Sequence, residues 1–339
     1  MKLRKPISVF SCVNGYAAKI YGHTLSEHMT NIPASIRAQL LAKELHGYED
    51  NPAFGWADWG GWEFGGEIRW PKRYADMAPC TLRHPVTKPS DVDRLPDPDP
   101  KSAGSVTLLM EFNREMVKLG LAPKIRAGSV TSVVAGMIGF EKLMKWYFRE
   151  PEAVETAYEK ATRFLIRTAE ETVAEFGPDC SASISAPWDS NDLLSPNIFE
   201  KFTAPHVERM LMALSDLGVT SVKAHLCGNH HGNLSAWTRL PWPERTSISI
   251  GHELDIVATA EAFEHRFMIL GNVPTSLLAV GRYEEVYSEA WKCLEQGKDL
   301  PGGYALMPAC EMPTFAAPLN VQALVNACRN FNRDCGFEI

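Results

Sequence analysis

The chain has 339 residues, with 34 Lys and Arg against 41 Asp and Glu, a formal charge of −7, and 45% apolar and 22% charged residues. That apolar share excludes a disordered chain, and neither a collagen nor a coiled-coil period runs through it. The acidic balance argues against a nucleic-acid binder, and the longest nearly apolar run, residues 130–140, falls short of the ~20 residues of a membrane span.

In chain order, residues 33–46 have helical periodicity with Pro33 at the start. Residues 54–70 are rich in Trp and Gly. Residues 96–100 (PDPDP) read as an extended connector, either a domain linker or a rigid loop before a helix over 105–119. Residues 124–135 contain a strand-like piece and 141–149 are helical. A long amphipathic helix spans 152–176, with Pro151 at its first position and Gly177 just past its end. Strands are expected at 180–185, 221–226, 246–250, 266–270 and 303–307. Helices are expected at 197–217, 256–263, 283–296 and 320–332. This alternation predicts parallel strands joined by right-handed crossovers. With no glycine fingerprint of a dinucleotide-binding sheet, a (β/α)8 barrel of the TIM type with an N-terminal helical extension is expected, as one domain over 1–339.

Eight cysteines (12, 80, 180, 227, 293, 310, 328 and 335) are scattered without a CxxC pair. Lys2, Arg4 and Lys5 precede an apolar run too short for a signal peptide. Reduced thiols in a cytoplasmic protein are expected.

The sharpest chemical feature is SVKAHLCGNHHG, residues 221–232. His225 and Cys227 are two apart at a predicted strand end, so both side chains share one face. Strand C-termini surround the active-site mouth of such a barrel, and imidazole and thiolate are both zinc ligands. A buried Cys beside a hydrogen-bonded His has the same appearance. Cys310 also follows a predicted strand and would complete a three-ligand set with one open position, or be an inert loop thiol. His230 and His231 either line the pocket or belong to a helix start. Glu253 follows a strand and would close the fourth metal position, or stay an exposed carboxylate. Asp189 and Asn272 follow two further strands, where each would orient a substrate or cap a helix. Trp56, Trp59 and Trp62 would wall a pocket for a flat ligand, or pack in the core.

The segments SAPWDSNDLLSPNIFEKFTAPHVERM, VKAHLCGN, ISIGHELD, ILGNVP and GGYALMPACEMP fall in the order seen in the uroporphyrinogen decarboxylase superfamily, a resemblance covering residues 30–335. It implies a single β/α barrel in which PDPDP is a loop. Within that superfamily, His-x-Cys followed much later by Cys resembles the zinc-dependent corrinoid methyltransferases, and His225, Cys227 and Cys310 stand at the ligand positions. The arginine-rich N-terminal motif of the decarboxylases is missing, which disfavours porphyrinogen decarboxylation. The resemblance implies Zn2+, a corrinoid supplied by a separate partner protein, and a small-molecule methyl donor or acceptor, with no nucleic acid or membrane involved. Two branches are open: transfer from a methylated corrinoid to a thiol, and O-demethylation of a methoxylated aromatic onto Co(I). The Trp-rich segment resembles that of the second, which is the expectation. A lyase of the same barrel is the alternative outside methyl transfer.

Overall fold

A computed structural model describes residues 5–56, 58–76 and 78–337. Seven strands form one parallel sheet: β1 (Ser8–Val9), β2 (Lys124–Arg126), β3 (Ser181–Ser185), β4 (Ser221–Leu226), β5 (Arg245–Ile250), β6 (Met268–Val273) and β7 (Tyr304–Pro308). They pair in the order β1-β7-β6-β5-β4-β3-β2. From β2 onward, helices connect each strand to its neighbour, the order of an α/β barrel of the TIM type.

Strands β1 and β2 are the two edges, and the extended segment 48–53 runs along the first. The Glu49 N–H donates to the Val9 carbonyl at 2.8 Å, and Lys223 Nζ lies 3.5 Å from Asp50 Oδ2. On the outer edge of β2, the peptide groups of Lys124 are satisfied by one side chain. Asn113, in the helix Val106–Lys118, donates from Nδ2 to the Lys124 carbonyl and accepts the Lys124 N–H at Oδ1, both at 2.9 Å. A buried backbone N–H and C=O both need partners, and here an amide side chain provides them.

Most expected elements appear within two or three residues of their expected limits. Pro151–Phe176 is one helix, stopped at Gly177 with φ +84°, a left-handed conformation that glycine adopts without a Cβ penalty. PDPDP is a loop tied to that helix: Arg163 donates twice to Asp97 at 2.8 Å, and Lys160 Nζ donates to the Leu95 carbonyl at 2.7 Å. The strand-like stretch 124–135 divides into β2 and the helix Val130–Ile138. Its β-branched run favours a strand locally, but Val130, Val133 and Val134 are all buried, and packing overrides that preference. The helices Asn14–Tyr21 and Leu25–Thr30 and the antiparallel pair Glu67–Arg69 and Cys80–Arg83 carried no clear periodic signal.

Strand alternation sorts the barrel wall. Ile125, Ala182, Ile184, Val222, Ala224 and Ile248 are buried toward the helices. Lys124, Arg126, Ser183, Ser185, Lys223, His225, Ser247 and Ser249 alternate with them and face the lumen. Register sets them in levels: Arg126, Ser183, Lys223 and Ser247 pair side by side, and Ser185, His225 and Ser249 form the next level toward the mouth. Leu270, Ala305 and Met307, with Phe10 and Cys12, form a separate apolar cluster. The lumen is therefore polar on one side and apolar on the other.

No helix among the described residues is long and apolar enough to cross a membrane.

Candidate metal centre

His225 occupies the last lumen-facing position of β4, and Cys227 continues its face before Gly228 turns the chain at φ +84°. Cys310 follows β7 in a loop fixed on both sides. The Ala309 N–H donates to the Val273 carbonyl at 2.8 Å and the Met312 N–H to the Cys12 carbonyl at 2.7 Å. These loops bring ligand atoms of His225, Cys227 and Cys310 within 4.8 Å of one another. The two sulfurs are 3.8 Å apart. A disulfide has an S–S length of about 2.05 Å, so these are thiols. Two sulfurs at zinc–sulfur lengths of about 2.3 Å and a tetrahedral angle lie about 3.8 Å apart.

The imidazole completes the fit. His225 Nδ1 lies 3.1 Å from Ser249 Oγ. Nε2 is buried and has no hydrogen-bond partner among the described residues. With the proton on Nδ1, donated to Ser249, the Nε2 lone pair is free for a metal, the arrangement that orients metal-binding histidines generally. The two sulfurs are within hydrogen-bond distance of each other. Cys310 is pulled down because it accepts the Cys227 S–H and lies beside His225, and Cys227 is pushed up by donating it and by burial. A soft, thiolate-rich set with an unpartnered imidazole nitrogen suits zinc.

Several other residues singled out in the sequence are committed elsewhere. Asp189 is 1% exposed. Its carboxylate accepts from Thr131 Oγ1 at 2.5 Å, and from Thr203 Oγ1 and Ser129 Oγ at 3.2 Å. It is an internal hydrogen-bond hub with no face left for substrate, and burial raises it to about 6. Asn272 donates to the carbonyls of Gly251 (3.0 Å) and Leu254 (2.7 Å), so its amide ties β6 to the loop after β5. His230 is fully buried: Nδ1 accepts the Trp237 indole N–H at 3.2 Å, and Nε2 therefore donates to the Cys227 carbonyl at 3.2 Å. It holds the turn behind Cys227 and lines no pocket. Exposed His231 donates from Nε2 to the Glu253 carbonyl at 2.9 Å. Glu253 stands outside the three-ligand cluster, 3.5 Å from His252 Nδ1, and its charge acts on Cys227.

The tryptophans are packing residues. Trp56 and Trp59 are 0% and 1% exposed. Trp56 stacks on Trp62 at 5.5 Å and meets Trp70 edge-on at 5.4 Å. Large rings bury much apolar area and pack favourably on one another, and this cluster satisfies both tendencies without a ligand. Of the expected aromatic wall, Trp56 is in the core with half-buried Trp62 packed on it, and Trp59 is buried separately against Phe164.

The family profile described as "Uroporphyrinogen decarboxylase (URO-D)" matches residues 6–331. The chain belongs to the uroporphyrinogen decarboxylase (URO-D) family.

Relatives of this URO-D family chain include the methylcobamide:CoM methyltransferase MtbA of Methanosarcina acetivorans, 26% identical over 263 residues, 75% of this chain and 72% of that one. The methylcobamide:CoM methyltransferase MtaA of Methanosarcina barkeri is 27% identical over 203 residues, 59% of this chain and 55% of that one. A methylated-thiol–coenzyme M methyltransferase of Methanosarcina mazei is 25% identical over 276 residues, 78% of this chain and 68% of that one. In fold, the chain is similar to a solved methyltransferase from Methanosarcina mazei, with TM-score 0.80, 24% identity, and coverage of 97% and 94%. These relatives are of the kind implied by the His-x-Cys and distant Cys pattern.

Three further residues of this URO-D family member belong to the site and were not singled out in the sequence. Ser249 was one of several serines in a strand, and only register reveals that it backs His225. Glu311, next to Cys310, accepts the Gly15 N–H at 3.2 Å and is raised to about 7 by burial. Arg126 faces the lumen one level below His225.

Proposed function

We propose that the protein is a zinc-dependent methyltransferase of a corrinoid system, moving a methyl group from a methylated corrinoid on a separate protein to a small thiol. The observation that carries this reading is the 3.8 Å sulfur pair beside an unpartnered imidazole nitrogen, at the mouth where two loops meet. When bound, zinc lowers the pKa of an incoming thiol and presents it as a thiolate nucleophile.

His225, Cys227 and Cys310 would hold the zinc, which would activate the acceptor sulfur as a Lewis acid. Ser249 holds the proton on His225 Nδ1, and His230 holds the Cys227 carbonyl. Glu253, on the mouth loop with its charge felt at Cys227, takes the proton that the acceptor thiol releases. The thiolate then displaces the corrinoid in line: a sulfur–carbon bond forms, the cobalt–carbon bond breaks, and the bond pair stays on cobalt as Co(I). The activities named for the relatives, methylcobamide:CoM and methylated-thiol–coenzyme M methyl transfer, agree with this direction. The methoxyarene reading loses its main support, since Trp56 and Trp62 are packed against one another and Trp59 is fully buried against Phe164 and Arg126. A lyase of the same barrel would need no corrinoid.

The test is to incubate zinc-loaded protein with methylcobalamin and a panel of thiols, following the methylcobalamin absorbance and the thioether formed. Thiol-dependent loss of methylcobalamin is expected. Methylcobalamin formed from Co(I) and methoxyarenes, with no thiol reaction, would replace this reading with demethylation. Turnover of a substrate without any corrinoid would replace it with a lyase.

A further inference from the structure

We propose that the protein associates with a second copy of itself through the outward face of the helix Phe140–Arg149, the two helices packing antiparallel about a two-fold axis at Met144. This inference is independent of the reading of the metal centre.

The helix is anchored inward by Leu143, Trp146 and Tyr147, all buried. Lys142 is also committed to its own chain: Nζ donates to the Val86 carbonyl at 2.9 Å and lies over the Trp146 ring. The outward face carries Phe140, Met144 and Phe148. They are spaced four apart, so they follow one another along one side of the helix. Phe140 is half-buried, its ring held against Trp188 with centroids 4.4 Å apart. Phe148 is 78% exposed. A hollow of about 540 Å³ lies along this face, lined by Phe140, Glu141, Met144, Lys145, Phe148 and Arg149. One exposed apolar side chain is ordinary, but a row of three beside a hollow marks a contact surface.

The charges beside the row select the occupant. Glu141 lies toward the start of the helix, and Lys145 and Arg149 toward its end. All three are exposed, and among the described residues none is in an ion pair. A two-fold interface joins the same patch of each copy, so that patch must complement itself. The helix rises 1.5 Å per residue. Antiparallel pairing about Met144 therefore sets Met144 against Met144, and Phe140 of each copy level with Phe148 of the other. Glu141 of each copy then falls between Lys145 and Arg149 of the other, about 3 Å along the axis from either. Parallel pairing would set Glu141 against Glu141 and lose this match.

In the antiparallel pair the exposed Phe148 ring enters the hollow beside Phe140 of the other copy. The acid and the two bases form the rim, where charges set orientation and register more than affinity. A ten-residue helix is about 15 Å long, too short to bury by itself the ~1,200–2,000 Å² of a stable interface. The association is therefore reversible, with a dissociation constant on the order of 10–100 µM.

The experiment is sedimentation velocity of the full chain from about 1 to 300 µM, a range that brackets a contact of this size. The mass is expected to rise from one chain toward two. Phe148→Ser, Glu141→Lys, and Lys145→Glu combined with Arg149→Glu should each weaken the association about tenfold or more. These side chains are exposed, so circular dichroism should show native folding; should Phe148→Ser fail to fold, the charge variants decide. Mixing the Glu141→Lys chain with the Lys145→Glu, Arg149→Glu chain should restore wild-type association, because both halves of the contact again pair acid with base. A chain that stays monomeric throughout, or a dimer that the variants leave intact, overturns the proposal. A mixture no tighter than either variant alone overturns the antiparallel two-fold arrangement. Phe148-dependent binding of a corrinoid-carrying protein to a monomeric wild type would assign the face to that partner instead.

Discussion

The indole N–H of Trp237 donates to Nδ1 of His230 across 3.2 Å, and that bond decides which nitrogen of the buried imidazole carries the proton. Nε2 must then be the donor to the Cys227 carbonyl. Replacing His230 with Phe strands a buried donor and a buried acceptor, each worth about 1–3 kcal/mol. The His230→Phe protein is expected to unfold at lower denaturant and to bind zinc more weakly, read by denaturation and by chelator competition. Unchanged zinc affinity would show that the turn needs no such support.

Ser249→Ala removes the acceptor for His225 Nδ1 and touches nothing else in the ligand set. Loss of a partner behind a metal-binding His reduces affinity about 10- to 100-fold. The expected outcome is a folded protein whose zinc is stripped at a lower chelator concentration, with the wild-type melting temperature in excess zinc.

His225→Ala, Cys227→Ala and Cys310→Ala should each abolish stoichiometric zinc and methyl transfer together. Metal content by mass spectrometry and the methylcobalamin assay check this in parallel. Full occupancy and activity in any of the three would remove that residue from the site.

Trp56→Ala should act on stability and not on substrate affinity. Its ring is fully buried among Phe54, Trp62 and Trp70, and such a truncation costs about 3–5 kcal/mol. A lowered unfolding midpoint is expected. An intact midpoint with a raised KM for aryl substrates would restore the tryptophans to the pocket.

His28 gives a pH signature away from the metal. It is 1% exposed, its Nε2 is 3.1 Å from Ser35 Oγ, and burial, helped by His23, lowers it from 6.5 to about 4. The folded state resists the proton while the unfolded chain accepts it. Stability from this group is complete above pH 6.5 and falls as pH drops toward about 4, by on the order of 3 kcal/mol. His28→Gln should flatten that part of the stability-against-pH curve.

The strand-end pair His225 and Cys227 was legible because a period of two fixes a shared face without knowledge of the neighbours. The helix Pro151–Phe176 was legible from its punctuation. Other residues were not, for a common reason: spacing gives position along the chain but not the direction of a loop side chain. Asp189 and His230 follow strands as catalytic residues do, and Asn272 sits near the end of β6, yet their polar atoms turn inward to Thr131, Trp237 and Gly251. Arg126 was hidden because β2 is three residues long and its β-branched continuation is a helix. Ser249 needed the β4–β5 register, which no local pattern encodes.

Asn113 has a consequence beyond the barrel wall it completes. By presenting an amide where another chain's peptide group would dock, it blunts the outer rim of β2, which would otherwise template intermolecular pairing. A single side chain thus does for this margin what extra lysines or a proline do elsewhere, keeping the rim of the sheet from pairing with a strand of a second molecule.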